Sequence, residues 1–111
     1  MMFFATLALA GFSVFAGQWP PAAGPLMTRW AKDVSPANAL PEYPRPQLVR
    51  DAWQNLNGLW DYAIADKDAS QPELWDGQIL VPFPVQSALS GVMKPVTEKQ
   101  CLWYHRTFKL V

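Results

Sequence analysis

The chain has 111 residues, which is at most one small domain, and its nine Lys plus Arg balance its nine Asp plus Glu. This balance argues against a basic patch, so no nucleic-acid partner is expected. One cysteine, Cys101, excludes an internal disulfide, and one histidine beside it excludes a zinc site, which needs about four N or S ligands. Eleven prolines and six tryptophans predict ordered loops and a core built on large rings rather than on helices.

The start of the chain is almost entirely apolar, and its first charged side chain is Arg29. Residues 1–16 are too short for a comfortable membrane span, which takes about 20 residues. They suit the apolar region of a secretory signal, with Val14-Phe15-Ala16 as its cleavage site. A Lys or Arg near Met1 is missing, and a buried strand or helix is the alternative. We expect an export signal over 1–16, a periplasmic or extracellular protein, and no stable membrane span.

Residues 17–50 form a proline-rich lead-in. The segment 26–32 is compatible with one or two helical turns or with a short extended segment. Ser35-Pro36 predicts the cap and first position of a helical turn over 37–40. The segment 41–46 is predicted to be extended, because each proline disfavours helix in its predecessor. We interpret it as a rigid arm lying on its own domain, with a polyproline docking ligand as the alternative.

The strongest local signal is the segment 53–62, WQNLNGLWDY. Its Asn57-Gly58 pair tolerates positive φ and predicts a sharp turn into a strand. From Gly58 onward the side chains alternate, so Trp60, Tyr62 and Ile64 share one face of that strand. Two large aromatic rings on one face predict that this face is buried.

A single helical turn is predicted just before this strand. Asp51 is in position to cap it, and Gln54 occupies the capping-box position three residues later. Such a turn would place Trp53 and Leu56 over the strand.

Two further strands are predicted. The first covers 78–83 and is ended by Pro82 and Pro84. The second covers 101–111, where one face would carry Leu102, Tyr104, Arg106, Phe108 and Leu110 and the other Trp103, His105, Thr107 and Lys109. An unpaired buried charge is very costly, so Arg106 is expected to meet an acidic residue of this segment or of a segment missing from the sequence.

The polar residues supply no catalytic, cofactor-binding or metal-binding prediction. Asp66 and Asp68 suggest a metal or acid–base pair, but no third ligand follows at calcium-loop spacing, and a solvated loop is favoured. His105 is interpreted as a half-exposed strand residue rather than a catalyst, because no nucleophile or carboxylate is recognisably paired with it.

Four segments resemble, in this order, the N-terminal sugar-binding domain of glycoside hydrolase family 2, which includes β-galactosidases, β-glucuronidases and β-mannosidases. They are 42–46 (EYPRP), 53–62 with its Leu-Asn-Gly-x-Trp turn, 80–84 (LVPFP) and 102–108 (LWYHRTF). The resemblance covers roughly 27–111. It implies an all-β fold, a jelly-roll-like β-sandwich similar to galactose-binding domains. In the family an immunoglobulin-like sandwich and a (β/α)₈ barrel follow, and the barrel carries two catalytic glutamates.

The resemblance implies the front of an exported family 2 β-glycosidase, a retaining hydrolase of O-glycosyl bonds that acts on a carbohydrate substrate and needs no cofactor. Retaining chemistry takes two carboxyl groups about 5–5.5 Å apart. Glu42, Glu73 and Glu98 do not match the family's catalytic motifs, so this chain is expected to be non-catalytic by itself. The alternatives are a stand-alone carbohydrate-binding or adhesion module and a structural, proline-rich extracellular piece.

The tryptophans in the matched segments have a structural interpretation beside a sugar-stacking one. Trp60 is assigned to the core, and Trp53 and Trp103 are open to either role. Trp75 is expected to be an exposed ring, with packing within its loop as the alternative. No turn signal follows the last strand, and three strands cannot close a sandwich. We therefore expect 51–111 to be the first part of a sandwich whose remainder lies in C-terminal domains of the same protein, and 17–111 alone to fold poorly.

Overall fold

The computed structural model of the chain describes residues 19–24 and 26–110. In these residues it forms three strands, β1 (Gly58–Asp66), β2 (Gly77–Val81) and β3 (Gln100–His105). Three short 3₁₀ helices accompany them, at Ala31–Asp33, Pro46–Leu48 and Ala88–Ser90. The strands form one antiparallel sheet in the order β2-β1-β3. The all-β class is therefore confirmed.

The predicted export signal over 1–16 lies outside the described residues. Within the described part of the chain, no helix has the length and apolar character needed to cross a membrane.

β1 is the central strand, and it begins where the turn signal predicts. Gly58, its first residue, has φ of 126°, a conformation that side-chain-bearing residues rarely adopt. In the middle of the strand Tyr62 lies opposite Gly77 of β2 and Tyr104 of β3. The predicted turn and strand are thus confirmed, and the strand extends nine residues to Asp66.

The predicted buried face is confirmed, although burial is not limited to it. Tyr62, Ile79 and Val85 are 5%, 0% and 4% exposed and form the core cluster, against which Trp60 and Ile64 pack. On the opposite face Leu80 and Ala63 are also buried. The loop between β2 and β3 contributes Val85, Val92 and Val96 to the core. The sequence did not predict this contribution, because the loop has no hydrophobic periodicity.

The loop between β2 and β3 also receives the first described segment of the chain. Trp19 Nε1 donates to the carbonyl oxygen of Ser90 at 3.2 Å, and the backbone amide of Ala22 donates to the carbonyl oxygen of Ala88 at 2.8 Å. Gly91 has φ of 80°, and a Cβ there would lie 2.3 Å from Trp19 Nε1, so the approach of Trp19 requires a glycine.

The helical turn predicted over 37–40 is wrong. Asn38 folds back on Ser35, whose Oγ accepts from the Asn38 amide at 3.1 Å, and the Asn38 side chain donates to the carbonyl of Asp33 at 2.8 Å. Ser and Asn side chains compete with helix formation in this way. The helical turn forms earlier, at Ala31–Asp33.

The arm over 41–46 has no regular helix before its end. A 3₁₀ helix begins at Pro46, a position where a proline is tolerated because its missing N–H would be unpaired anyway. The Tyr43 hydroxyl donates to the carbonyl of Leu48 at 3.2 Å, which fixes the arm to the following segment.

The helical turn predicted from Asp51 is also wrong. The amide of Asn57 donates to Oδ1 of Asn55 at 2.7 Å, so an Asn side chain again closes a turn in place of a helix. Trp53 is 44% exposed and does not join the core cluster over the strand.

Both later strands are shorter than predicted. β2 ends at Val81, directly before Pro82, which has no N–H to donate to a ladder. β3 ends at His105, and Phe108 and Leu110 beyond it are 51% and 88% exposed. The alternation predicted over 101–111 therefore holds only in its first half.

Candidate functional site

The guanidinium of Arg106 joins the end of β3 to the turn before β1. Its Nη1 donates to the carbonyl oxygens of Leu56 and of Asn57, the latter at 2.9 Å. Trp60 Nε1 donates to the same Leu56 oxygen at 2.8 Å, and the guanidinium carbon lies 6.0 Å from the centre of the Trp60 ring. The expectation of an acidic partner for Arg106 is therefore wrong among the described residues, because backbone carbonyls satisfy the charge instead.

The same turn is tied to the lead-in by amide side chains. Asn57 Nδ2 donates to the carbonyl oxygens of Ala39 and Leu40 at 3.0 and 3.1 Å. Asn55 Nδ2 also donates to Leu40, at 3.2 Å. Ala39 is only 4% exposed, so these bonds hold a buried point of the lead-in against the sheet.

An aromatic groove, formed around Tyr43 and Trp53, lies beside this junction. The two ring centres are 4.9 Å apart and the ring planes meet at 59°. The groove has a volume of about 640 Å³. Its other walls come from Leu40, Glu42, Pro44, Gln54, Asn55, Leu56, Asn57 and Pro82. Large rings beside a few polar groups are typical of small-molecule sites.

The sequence pattern indicates Trp53 as a possible sugar-stacking ring, but it does not indicate Tyr43. The arm carrying Tyr43 and the turn carrying Trp53 are brought together by Leu40, whose carbonyl accepts from Asn55 and Asn57. The signal in the sequence that points to this groove is the amide pair Gln54-Asn55 directly after Trp53.

A second, apolar cleft of about 300 Å³ lies at the end of the sheet. Trp60, Tyr104 and Phe83 line it, and the rings of Trp60 and Tyr104 have centres 6.4 Å apart and planes at 86°. Burial raises the pKa of the Tyr104 hydroxyl above its ordinary value, because the phenolate loses hydration there. Trp60 thus packs on the core but also reaches solvent, so its core assignment is only partly right.

A polar cluster occupies the opposite face of the sheet. His105 Nδ1 lies 3.2 Å from Asp61 Oδ2, and Trp75 stacks on the imidazole at 5.1 Å and 16°. Asp76 holds the Trp75 segment in place, since its carboxylate accepts from the Ile64 amide at 2.8 Å. The expectation that no carboxylate pairs with His105 is wrong, because the strand register places Asp61 directly opposite.

Among the described residues no hydroxyl or thiol hydrogen-bonds to His105, so this part of the chain gives the cluster no nucleophile of that kind. Both side chains of the pair are exposed, 44% for His105 and 37% for Asp61. His105 is thus half-exposed, as predicted. Trp75 is half-buried and stacks on His105, so the expectation of an exposed ring is wrong and the alternative of packing in its loop fits. Trp53 and Trp30 are more exposed, at 44% and 61%.

The remaining candidates form no recognisable site. Asp66 and Asp68 lie in one surface depression with Glu98, but lysines are interleaved with them. No group of three or more His, Cys, Asp or Glu side chains suited to a metal occurs in the part of the chain that the structure describes. Trp103 is half-buried, and its Nε1 has no hydrogen-bond acceptor among the described residues.

Comparison with known proteins adds no assignment to this geometry. No protein-family model matches the chain, and none of the curated proteins matches it either.

Proposed function

We propose that this chain is the first part of the jelly-roll-like sugar-binding domain of an exported family 2 β-glycosidase. In this proposal the hydrolysis of O-glycosyl bonds is performed by glutamates of a barrel elsewhere in the protein. The chain itself provides a non-catalytic scaffold for the domain.

The observation that supports this proposal most is the junction at Arg106. The four segments that carry the family resemblance are separate in the sequence, yet their residues contact one another. Arg106, from the last segment, bonds to Leu56 and Asn57 of the second. Leu80, from the third, pairs with Leu59 of the second across β1 and β2.

The first segment joins the same assembly. Tyr43 packs against Trp53, so the arm contacts the second segment as well. Segments that recur together for structural reasons are expected to contact one another, and chance similarity carries no such expectation.

The positions of the carboxylates support a non-catalytic role. Glu42, Glu73 and Glu98 are all exposed and lie outside the strands. Glycoside hydrolysis needs a pair of carboxyl groups that flank the scissile bond at a fixed separation. Exposed side chains in separate loops are not fixed in this way.

The test is a hydrolysis assay on the intact protein with 4-nitrophenyl β-galactoside, β-glucuronide and β-mannoside. We expect at least one to be cleaved, with the product anomer first released in the β configuration by proton NMR. The double variant Glu73→Gln and Glu98→Gln is expected to retain that activity. Absence of cleavage of all three, or loss of activity in the double variant, would contradict the proposal.

A stand-alone carbohydrate-binding module is the second candidate, and the exposed groove between Tyr43 and Trp53 favours it. An intact protein that binds immobilised glycans but cleaves none of the three glycosides would support this candidate over the first.

A further inference from the structure

We propose that the exposed segment 26–32 binds the surface of a membrane that contains anionic phospholipids. In this proposal the segment lies in the headgroup layer and does not span the bilayer. The inference rests on the side chains of the lead-in, and it is independent of the proposed glycosidase function.

Large apolar side chains of this segment are open to solvent. Leu26, Met27 and Trp30 are 89%, 47% and 61% exposed. None of them lines the aromatic groove, the apolar cleft or the surface depression described above. Three such side chains within five residues form an apolar patch, and a patch of this kind indicates a surface that another phase or molecule covers.

Cationic side chains lie among the apolar ones. Arg29 and Lys32 are both exposed, and the guanidinium carbon of Arg29 lies 4.4 Å from the centre of the Trp30 ring. The charge and the ring therefore reach a similar depth in whatever the segment contacts. A tryptophan beside Lys and Arg suits the boundary of a bilayer, where the apolar parts are buried while the charges stay in water.

The charges of the chain are unevenly distributed, although they balance overall. Residues 26–50 carry four basic and two acidic side chains, whereas residues 51–110 carry five basic and seven acidic ones. An anionic surface therefore attracts the lead-in and repels the remainder of the chain, which favours binding through the lead-in. Leu74 provides a contrast, because it is 85% exposed but has Glu73 and Asp76 as its charged neighbours.

The segment is held to the domain on both sides. Before it, the backbone amide of Ala22 donates to the carbonyl oxygen of Ala88 at 2.8 Å. After it, the carbonyl oxygen of Ala39 accepts from Asn57 Nδ2 at 3.0 Å. The patch is thus presented from a fixed position, so less ordering is required on binding.

A lipid surface satisfies the whole patch, whereas a soluble polyanion satisfies only part of it. A nucleic acid or an acidic peptide could pair with Arg29 and Lys32 but would leave Leu26 and Met27 in water. A bilayer offers anionic headgroups and, about 5–10 Å deeper, an apolar layer for such side chains. The combination of charge and apolar exposure therefore selects the membrane.

The test is co-sedimentation of the intact protein with vesicles of phosphatidylcholine and with vesicles of equal parts phosphatidylcholine and phosphatidylserine. We expect tighter binding to the mixed vesicles, weakened by added salt. The pair Arg29→Gln and Lys32→Gln should weaken it about thirtyfold, since each cation near an anionic surface contributes about 1 kcal/mol. The matched control is the pair Lys67→Gln and Lys99→Gln, two exposed cations of the surface depression, which should have a much smaller effect.

Variants of uncharged and acidic residues test the remaining parts of the argument. Trp30→Ala should weaken binding to the mixed vesicles about tenfold, because the ring no longer enters the interface. Leu74→Ala is its control and should leave the affinity unchanged. Asp33→Asn removes a negative charge next to the segment and should strengthen binding about fivefold, a gain that misfolding does not produce.

The N-terminal residues do not obscure the result. Residues 1–16 carry no charged side chain, so binding through them does not depend on Arg29 or Lys32. The proposal is overturned if the glutamine pair or Trp30→Ala leaves the affinity for mixed vesicles unchanged, or if Asp33→Asn weakens it. It is also overturned if soluble poly-glutamate binds as tightly as the mixed vesicles, which would identify an acidic protein as the partner. Hydrolysis is measured separately, so an active glycosidase without membrane affinity would overturn only this inference.

Discussion

Arg106 and Asn57 are 49 positions apart in the chain, and Arg106 Nη1 donates to the main-chain carbonyl oxygen of Asn57 at 2.9 Å. With the bond to Leu56, one guanidinium closes the turn that leads into the central strand. Both hydrogen bonds come from Nη1, and the planar guanidinium also lies 6.0 Å from the centre of the Trp60 ring. A lysine has a shorter side chain and no planar group, so it does not reproduce this geometry.

Arg106→Lys is therefore expected to destabilise the protein by about 1–2 kcal/mol, the worth of one charged hydrogen bond. The measurement is the free energy of unfolding of the intact protein in urea. Arg29→Lys is the control, because Arg29 lies over the exposed ring of Trp30 and should change stability by less than about 0.5 kcal/mol. Equal effects of the two substitutions would contradict the role of Arg106.

Gly58→Ala should destabilise the protein by about 2–3 kcal/mol, because φ is 126° there and the new Cβ would lie 3.3 Å from Arg106 Nη1. Gly77→Ala is the matched comparison. Gly77 has φ of 157°, but a Cβ there would make only an ordinary contact, 3.5 Å from the Tyr62 ring. Urea unfolding should show the larger loss for Gly58→Ala, and the reverse order would contradict the crowding at the turn.

Trp60→Ala is expected to cost about 3–5 kcal/mol, as large-to-small changes of packed aromatic residues do. Trp60→Phe keeps an aromatic ring but removes the N–H that donates to the Leu56 carbonyl oxygen. The lost hydrogen bond should lower the free energy of unfolding by about 1 kcal/mol, in addition to the effect of the lost packing. Thermal and urea unfolding of both variants separate the two contributions. A Trp60→Ala protein as stable as the parent but unable to bind sugar would show that this ring is part of a binding site.

The stability of the protein should fall above the ordinary tyrosine pKa of 10.0. Burial raises the pKa of Tyr104 in the folded state, so above pH 10 the unfolded chain loses this proton first and binds fewer protons than the native state. Stability is then lost as pH rises through the native pKa. Tyr104→Phe should remove this part of the alkaline loss. The free energy of unfolding of the parent should therefore fall relative to that of the variant as pH rises from 8 to 11. A constant difference would contradict the shift.

The sequence predicted the strongest local elements because their signals are local. A glycine after an asparagine permits the unusual φ at the start of β1, and alternation of Trp60, Tyr62 and Ile64 follows from the two-residue repeat of any strand. β2 ends at Val81, directly before the first of the two prolines that the pattern indicated as its end.

The helical turns failed for a physical reason. The sequence predicts Ser35 as the cap of one helical turn and Asp51 as the cap of another, but the side chains of Ser35, Asn38 and Asn55 close non-helical turns through hydrogen bonds to nearby backbone. Capping and turn closure use the same residue types, and a pattern of letters does not distinguish them.

The candidate sites depended on pairings between distant segments. Asp61 meets His105 only through the register of β1 and β3, and Tyr43 meets Trp53 only because the arm folds back. No periodicity within either segment specifies such a contact.

By itself, the sequence determined the strand class, the turn at Gly58 and the buried face of β1, since these follow from backbone preferences and side-chain alternation over a few residues. The tertiary structure decided which partner each polar group finds. Arg106 bonds to carbonyls rather than to a carboxylate because chain folding brings the turn of residues 56–57 within reach of its guanidinium. Hydrogen bonds and ring contacts depend on distances in space, and a linear order of residues specifies those distances only where they are local.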